Sequence, residues 1–123
     1  MLADKKIMTF LATSNAVKAR DFYQNILGLT LIDEHEFALV FDAFGIELRI
    51  QKIPEFTALA QTVLGWSVPD IAHEISELAA KGVAFIQFEG MEQDELGIWQ
   101  APSGARVAWF KDCDGNTLSL TES

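Results

Sequence analysis

The feature of the sequence that most constrains the fold is a weak internal repeat. The segment DAFGIELRI at 42–50 recurs as DCDGNTLSL at 112–120. Each copy has an acidic residue, a glycine three positions later, and then alternating apolar residues. A helical pattern that ends at a glycine precedes each copy, at 15–28 and again at 70–82. Because repeats of this kind mark duplicated supersecondary units, the sequence predicts two copies of one strand–helix–strands unit. Two such units can form one cupped sheet with a cleft between them.

Apolar periodicity and turn residues predict the same general order in both halves, namely a strand, a helix and then further strands. In the first half we expect strands at 6–13, 29–33, 37–41 and 46–52, with a helix that Ser14 or Asn15 caps and Gly28 ends. In the second half, after a linker at 53–61, we expect strands at 62–68, 83–88, 98–100, 105–111 and 116–121, with a helix from Asp70 to Gly82. The prediction is therefore one α+β domain over 1–123, with modules at about 5–53 and 61–121 and helices on one face of the sheet.

Composition excludes several functional classes. The chain has 123 residues, of which 50% are hydrophobic, so one folded domain is expected rather than disorder. A net charge of −9 argues against nucleic acid as a partner. It suits a cationic small ligand, although solubility alone explains it more simply. No apolar run reaches membrane-spanning length and the start lacks a signal-like stretch, so we expect a cytoplasmic protein with no membrane partner.

The chain is poor in the side chains that usually carry catalysis or bind metals. Cys113 is the only cysteine, which excludes an internal disulfide and an all-cysteine metal site. It lies in a turn, and we favour a tolerated small residue over a catalytic thiol. The two histidines, His35 and His73, fall in a turn and on the polar side of a helix, where solvent-exposed surface is the simplest expectation.

Three segments resemble the vicinal oxygen chelate superfamily. They are KARDFYQNILGL at 18–29, VPDI at 68–71 followed by AAKGV at 79–83, and FKDCDGN at 110–116, where Cys113 replaces the family's proline. That superfamily includes glyoxalase I, bleomycin-resistance proteins, fosfomycin-resistance enzymes and extradiol dioxygenases. The resemblance implies paired βαβββ modules that form a U-shaped mixed sheet around a cleft, with helices on the outer face. It also implies a homodimer.

Enzymes of that superfamily usually hold a divalent metal at four strand positions, which the resemblance assigns here to Met8, Val63, Arg49 and Ser119. Such metals prefer imidazole, carboxylate or thiolate ligands. A thioether, an isopropyl group and a hydroxyl are poor substitutes, and a guanidinium repels a cation. A register slip of two residues would add Glu47 as a single carboxylate. We therefore expect no metal and no cofactor, which argues against metal-dependent glyoxalase, dioxygenase or thiol-transferase chemistry.

Strand alternation predicts which side chains could instead contact a ligand. Leu48 and Ile50 are expected on the helix-covered face, with Glu47, Arg49 and Gln51 on the other. Four further residues should share that second face: Met8, Phe10, Ser119 and Thr121. A mostly apolar surface with a few polar groups is typical of small-molecule sites. Arg49 could bind a ligand carboxylate or phosphate, but we favour an ion pair with a neighbouring acid such as Glu47.

Three tryptophans, Trp66, Trp99 and Trp109, are further candidates because indoles stack on planar or cationic ligands. Packing or a dimer interface is the commoner role of a strand tryptophan. Trp99 is the best functional candidate, since it follows an acidic loop at 89–97 whose terminal glycines suit a mobile flap. Arg106 on the next strand could join it. A solvated run of charge is the simpler interpretation of the loop's acids.

The predicted ligand-binding residues are Arg49, Gln51, Met8, Phe10, Ser119 and Trp99, with no catalytic residue. The favoured hypothesis is a metal-independent small-molecule binding protein of the glyoxalase/bleomycin-resistance type, sequestering an antibiotic or aromatic metabolite in a dimer cleft. The alternative is a divergent lyase, isomerase or dioxygenase-like enzyme of the same superfamily, for which Glu47 is the one inward-facing base. A domain whose dimer surface is its purpose is a third possibility. The ligand's identity stays open.

Overall fold

A computed structural model describes all 123 residues, which divide into two compact units, Met1–Thr57 and Ala58–Ser123. Each unit contains one four-stranded mixed sheet and one α-helix. The predicted α+β class and the two-module organisation are therefore confirmed.

In the first unit the sheet has the strand order β1-β4-β3-β2. Its strands are β1 (Met8–Thr13), β2 (Thr30–Glu34), β3 (Ala38–Ala43) and β4 (Ile46–Lys52). β1 runs parallel to β4, and the other two pairs are antiparallel. Helix α1 (Ala16–Asp21) begins where the Asn15 side chain accepts the Lys18 N–H at 3.2 Å, as predicted. It continues as a π-helical segment, Phe22–Ile26, rather than as one regular α-helix.

The second unit repeats that strand order as β5-β8-β7-β6. Its elements are β5 (Thr62–Ser67), α2 (Ile71–Ala80), β6 (Trp99–Gln100), β7 (Arg106–Lys111) and β8 (Thr117–Glu122). The predicted cap of α2 is confirmed, because the Asp70 carboxylate accepts the His73 N–H at 3.1 Å. Neither helix has the length and apolar character needed to span a lipid bilayer.

The predicted strand at 83–88 is wrong. This segment meets the sheet only through a bridge between Phe85 and Phe110 and a bond from the Ile86 N–H to the Trp109 carbonyl at 2.8 Å. The reason is that one side chain takes the place of a partner strand. The Gln93 amide accepts the Phe88 N–H at 2.7 Å and donates to the Ile86 carbonyl at 2.9 Å, so the backbone groups are satisfied without a ladder.

Each sheet buries one face under its helix. In the first unit Tyr23 packs against Phe41, with ring centroids 6.0 Å apart, and Leu48 and Ile50 are fully buried beside them. In the second unit the corresponding core is formed by Ile71, Ile75, Ala108, Phe110, Leu118 and Leu120. The opposite face of each sheet is the surface that carries the candidate binding residues.

Candidate functional site

Strand register places most of the predicted ligand-binding residues on one face of the first sheet. Met8 lies opposite Glu47, and Phe10 lies opposite Arg49. Paired residues point to the same side of a sheet, so these four side chains and Gln51 share a face. We call this surface the first open face. Met8 is 46% exposed and Phe10 is 56% exposed, so apolar groups remain accessible beside polar ones.

Arg49 on the first open face is already paired. Its Nη1 lies 3.2 Å from Glu47 Oε2, which confirms the favoured ion pair, and its Nη2 lies 3.2 Å from His35 Nε2. The expectation for His35 is therefore wrong. The turn between β2 and β3 brings its half-buried ring against the guanidinium instead of into solvent. His73, in contrast, is exposed, with its Nε2 3.7 Å from Glu77 Oε1.

The two contacts of His35 require opposite tautomers. A guanidinium can only donate, so the contact with Arg49 needs an unprotonated Nε2. The Phe37 N–H lies 3.3 Å from His35 Nδ1 and needs an unprotonated Nδ1. A neutral imidazole has only one unprotonated nitrogen. Arg49 and the Phe37 backbone therefore compete for the ring.

A cavity of about 320 Å³ opens on the first open face, at the end where β1 begins and the β3–β4 turn lies. It is lined by Lys6, Ile7, Met8, Ile32, Asp42, Gly45 and Glu47. Register confirms that Asp42, Glu47 and Met8 point to this side of the sheet. The cavity combines aliphatic walls with carboxylates, and the sequence contained no signal that would bring Ile7 and Ile32 together.

The second sheet has an open face of its own, on which Ser119 lies opposite both Trp109 and Gly65. Ser119 is buried, and a Cβ atom at position 65 would lie 2.5 Å from its Oγ, so a glycine is needed there. Ser119 is thus a packed residue of the second open face, with little accessible surface for a ligand.

Three aromatic rings cluster on the second open face. The Trp109 ring centroid lies 6.2 Å from that of Trp99 and 5.4 Å from that of Phe88, the latter pair edge to face. The Trp109 indole also donates to Thr62 Oγ1 at 3.1 Å. We call Phe88, Trp99 and Trp109 the aromatic cluster; all three are partly exposed. Trp66 instead stacks on the buried ring of Phe110.

The acidic loop at 89–97 is closed by hydrogen bonds at its base. The Asp94 carboxylate accepts the Leu96 and Ile98 N–H groups at 2.9 and 2.8 Å, and Gln93 donates to the Gly97 carbonyl at 2.8 Å. Gly90 and Gly97 have φ values of 80° and 88°, so they serve turns that need the left-handed region. The glycines that suggested a hinged flap are thus explained by turn geometry.

Arg106 does not join Trp99. Register pairs Arg106 with Glu122 and Gln100, whereas Trp99 pairs with Val107, so Arg106 points to the opposite side of the sheet. Its Nη1 lies 3.5 Å from Glu122 Oε1. The expectation fails because neighbouring residues on a strand alternate in direction.

The residues do not fit the divalent metal that the fold family's enzymes usually hold. Register places Glu47, not Arg49, opposite Met8, and in the second sheet it places Thr117 opposite Thr62. In the first unit this gives one thioether and one carboxylate, and in the second unit two hydroxyls. Neither pair is a good donor set for zinc, nickel, manganese or iron. No group of three or more His, Cys, Asp or Glu side chains converges to hold a metal.

Cys113 has the electrostatics of an inert thiol. The residue lies at the surface, but its Sγ is partly shielded from water and lies 3.5 Å from Asp114 Oδ2. Desolvation of the sulfur, followed by repulsion from the Asp114 carboxylate, raises the pKa of the Cys113 thiol to about 12. The thiol therefore stays protonated at neutral pH, which is the opposite of an activated nucleophile.

Comparison with known proteins identifies the fold. No family model matches the chain, and no curated protein sequence matches it significantly. Solved structures do match over nearly the whole chain. Lactoylglutathione lyase from Agrobacterium tumefaciens superposes with a TM-score of 0.74 at 17% identity, covering 97% of this chain and 94% of its own.

An antibiotic-binding protein and an antibiotic resistance determinant match about equally well. An antibiotic-binding protein from a Streptomyces species has a TM-score of 0.72 at 21% identity, covering 99% of this chain and 98% of its own. The bleomycin resistance determinant encoded on transposon Tn5 has a TM-score of 0.75 at 16% identity, covering 97% and 98%. The chain therefore has the vicinal oxygen chelate fold, that of the glyoxalase, bleomycin-resistance and dioxygenase superfamily. These matches include both enzymes and binders, so they define the fold and not the activity.

Proposed function

We propose that the protein is a metal-independent small-molecule binding protein of the glyoxalase/bleomycin-resistance type. The observation that carries this proposal is the composition of the first open face. Met8 and Phe10 are about half exposed there, beside a guanidinium and an amide, and Met8 stands at one of the strand positions that the family resemblance assigns to a metal ligand. Accessible apolar groups with a few polar ones are the usual lining of a small-molecule site.

The pairing of Arg49 narrows the class of ligand. Because Glu47 lies 3.2 Å from the guanidinium, a ligand anion would have to compete with a carboxylate that is already in place. The flat face of the guanidinium is still able to stack on a ring. The aromatic cluster of the second open face offers the same kind of surface. An aromatic ligand of low net charge, such as an aromatic metabolite or a planar antibiotic, fits these surfaces better than a strong anion.

The fold neighbours support an antibiotic as a specific case. The Streptomyces neighbour is an antibiotic-binding protein, and the Tn5 neighbour is a bleomycin resistance determinant. We propose that this chain likewise sequesters such a molecule. It would do so as a homodimer, with no metal or other cofactor.

Titration calorimetry with the full chain tests this function. The probes are small aromatic acids, neutral planar antibiotics and cationic glycopeptides, each measured with and without EDTA. We expect a neutral planar probe to bind most tightly, with EDTA having no effect. Replacing Phe10 or Trp99 by alanine should weaken binding about tenfold or more, as truncation of an aromatic contact usually does. Phe37→Ala removes an exposed aromatic ring outside both candidate surfaces and is the matched control. Failure of every probe to bind, or binding that EDTA abolishes, would contradict the proposal.

The second candidate function is a divergent lyase, isomerase or dioxygenase-like enzyme. One observation favours it: Glu47 lines the 320 Å³ cavity and points to the first open face, where a general base would have to lie. Metal analysis of the purified protein separates the two functions. Stoichiometric zinc, nickel, manganese or iron that is lost on Glu47→Gln would favour the enzyme over the binding protein.

A further inference from the structure

The turn between β3 and β4 presents an unusual side chain to solvent. Phe44 is fully exposed, and its φ of 51° makes it the one non-glycine residue with a positive φ. The next residue, Gly45, has a φ of 88°. A two-residue hairpin turn with two positive φ values favours asparagine, aspartate or glycine at its first position. A bulky aromatic residue there is strained and gains nothing from packing within the chain, so it calls for an external explanation.

The cavity of about 320 Å³ lies directly beside this exposed ring. Gly45, the neighbour of Phe44 in the chain, is one of its lining residues. The apolar part of the lining consists of Ile7, Met8 and Ile32, which are 71%, 46% and 56% exposed. A protruding phenylalanine ring and an apolar cavity large enough to hold such a ring are therefore adjacent on one surface. Exposed apolar groups clustered in this way mark an interaction surface.

The charges of the cavity lining are complementary to each other. Lys6 is exposed and takes part in none of the ion pairs of the structure. Asp42 and Glu47 supply the carboxylates of the same lining, and of these Glu47 is paired with Arg49. In a twofold-symmetric interface each patch meets its own copy, so residue i contacts residue j and j contacts i. This surface carries both a protruding aromatic ring and a cavity that can accept it, and it carries charges of both signs. It can therefore pair with its own copy in that symmetry.

We propose that this surface is the self-association interface of the protein: Phe44 of one copy inserts into the cavity lined by Ile7, Met8 and Ile32 of a second copy, and Lys6 of each copy faces Asp42 of the other. The inference rests on the homodimer included in the proposed function and names its contact surface. Insertion removes the exposed ring from water and thereby offsets the strain of the turn. Phe10, Arg49 and Gln51 do not line that cavity, so Met8 is the one proposed ligand-binding residue of the first open face that the contact would cover.

Analytical ultracentrifugation of the full chain tests the interface. The key variant is Phe44→Asn, because asparagine tolerates the left-handed conformation and the folded monomer should not suffer. We expect the wild-type protein to dimerise at micromolar concentration and Phe44→Asn to weaken the dimer at least about tenfold, as loss of a buried aromatic anchor does. Thermal unfolding of the dilute variant should occur at no lower temperature than that of the dilute wild-type protein. Ile32→Ser, in the wall of the cavity, should weaken the dimer as well.

Phe37→Asn is the matched control, since it removes another exposed phenylalanine from the turn at the opposite end of β3. It should leave the dimer unchanged. An unaltered dimer in Phe44→Asn, or a wild-type protein that is monomeric at roughly 100 µM, would overturn the inference. Calorimetry on the wild-type protein reads out ligand binding independently, so a failed interface and a failed binding function give different results. Binding of the same planar probe in the cavity of a monomer would also refute self-association as the cavity's role.

Discussion

The two units of this protein have the same strand order and pairing, but they differ in the turns and surfaces attached to that frame. In both, a parallel pair is followed by antiparallel neighbours, and an Asn or Asp side chain caps the helix. The open face of the first sheet carries an ion pair beside two accessible apolar side chains, Met8 and Phe10. That of the second carries a cluster of aromatic rings. The buried positions of the repeat specify the strand order, which is the same in both units. The exposed positions can differ between the units without changing that order.

The two Asp-to-Gly turns illustrate this divergence. In the first, β3 and β4 remain paired up to Ala43 and Ile46, which leaves a two-residue loop with Asp42 exposed. In the second, pairing ends at Lys111 and Thr117. There the Asp112 carboxylate is buried and accepts the Asp114 and Asn116 N–H groups, both at 2.9 Å. The same residue spacing thus forms two different turns.

The largest effect is expected from truncating one core phenylalanine in each unit, which tests whether the two sheets have equivalent cores. Phe41 and Phe110 are both fully buried and lie opposite Leu48 and Leu118 in their sheets. Each substitution by alanine should lower the free energy of unfolding by about 3–5 kcal/mol, because each leaves a cavity in a packed core. Urea denaturation measures both. A small effect at one site alone would show that the two cores are not equivalent.

The next test compares how much the aspartate of each Asp-to-Gly turn contributes to stability. Asp112→Ala removes the acceptor of two backbone N–H groups and of the Asn116 side-chain amide at 2.8 Å. It should cost about 2–3 kcal/mol, since hydrogen bonds to a buried charged group are strong and the donors lose their partner. Asp42→Ala removes a single exposed bond, to the Gly45 N–H at 3.1 Å, and should cost less than about 1 kcal/mol. Equal losses in thermal unfolding would refute the distinction.

The smallest expected effect concerns thiol reactivity in the same two turns. Because desolvation and Asp114 raise the pKa of the Cys113 thiol to about 12, its thiolate is scarce at pH 8. We expect iodoacetamide to modify it more than about tenfold more slowly than a thiol placed on the first turn by Phe44→Cys in a Cys113→Ser background. Both rates are measured at a dilution at which the chain is monomeric, so that position 44 is exposed. The Cys113 rate should keep rising with pH beyond 9 and level off only near 12. A plateau near pH 9 at Cys113 would contradict the assignment.

Much of the frame was predictable because its determinants are local. The caps Asn15 and Asp70 act on residues three positions away, and β4 was predicted with its observed bounds. Alternation along β4 correctly separated the buried Leu48 and Ile50 from Arg49. The resemblance to the vicinal oxygen chelate superfamily led to the right fold for the same reason, since its matching segments are helix and turn signals.

The candidate site was harder to predict, because its geometry depends on contacts between residues that are far apart in the sequence. No pattern in the sequence revealed that His35 would reach Arg49, or that Gln93 would replace a strand at 83–88. The pairing of Met8 with Glu47 rather than Arg49 also became visible only from the register of β1 on β4. Arg106 was misassigned because the register of β7 on β6 pairs it with Gln100 and not with Trp99, so it points to the opposite side of the sheet.

The sequence by itself determined the two-module α+β frame, the helix starts, and the buried face of each sheet. These follow from periodicity and capping, which act over a few residues and through nonspecific burial. The tertiary structure decided the partner of each polar side chain, the shape of each turn, and the cavity beside Phe44. Hydrogen bonds and cavities depend on geometry at the scale of an ångström between residues far apart in sequence, and residue order alone does not specify that geometry.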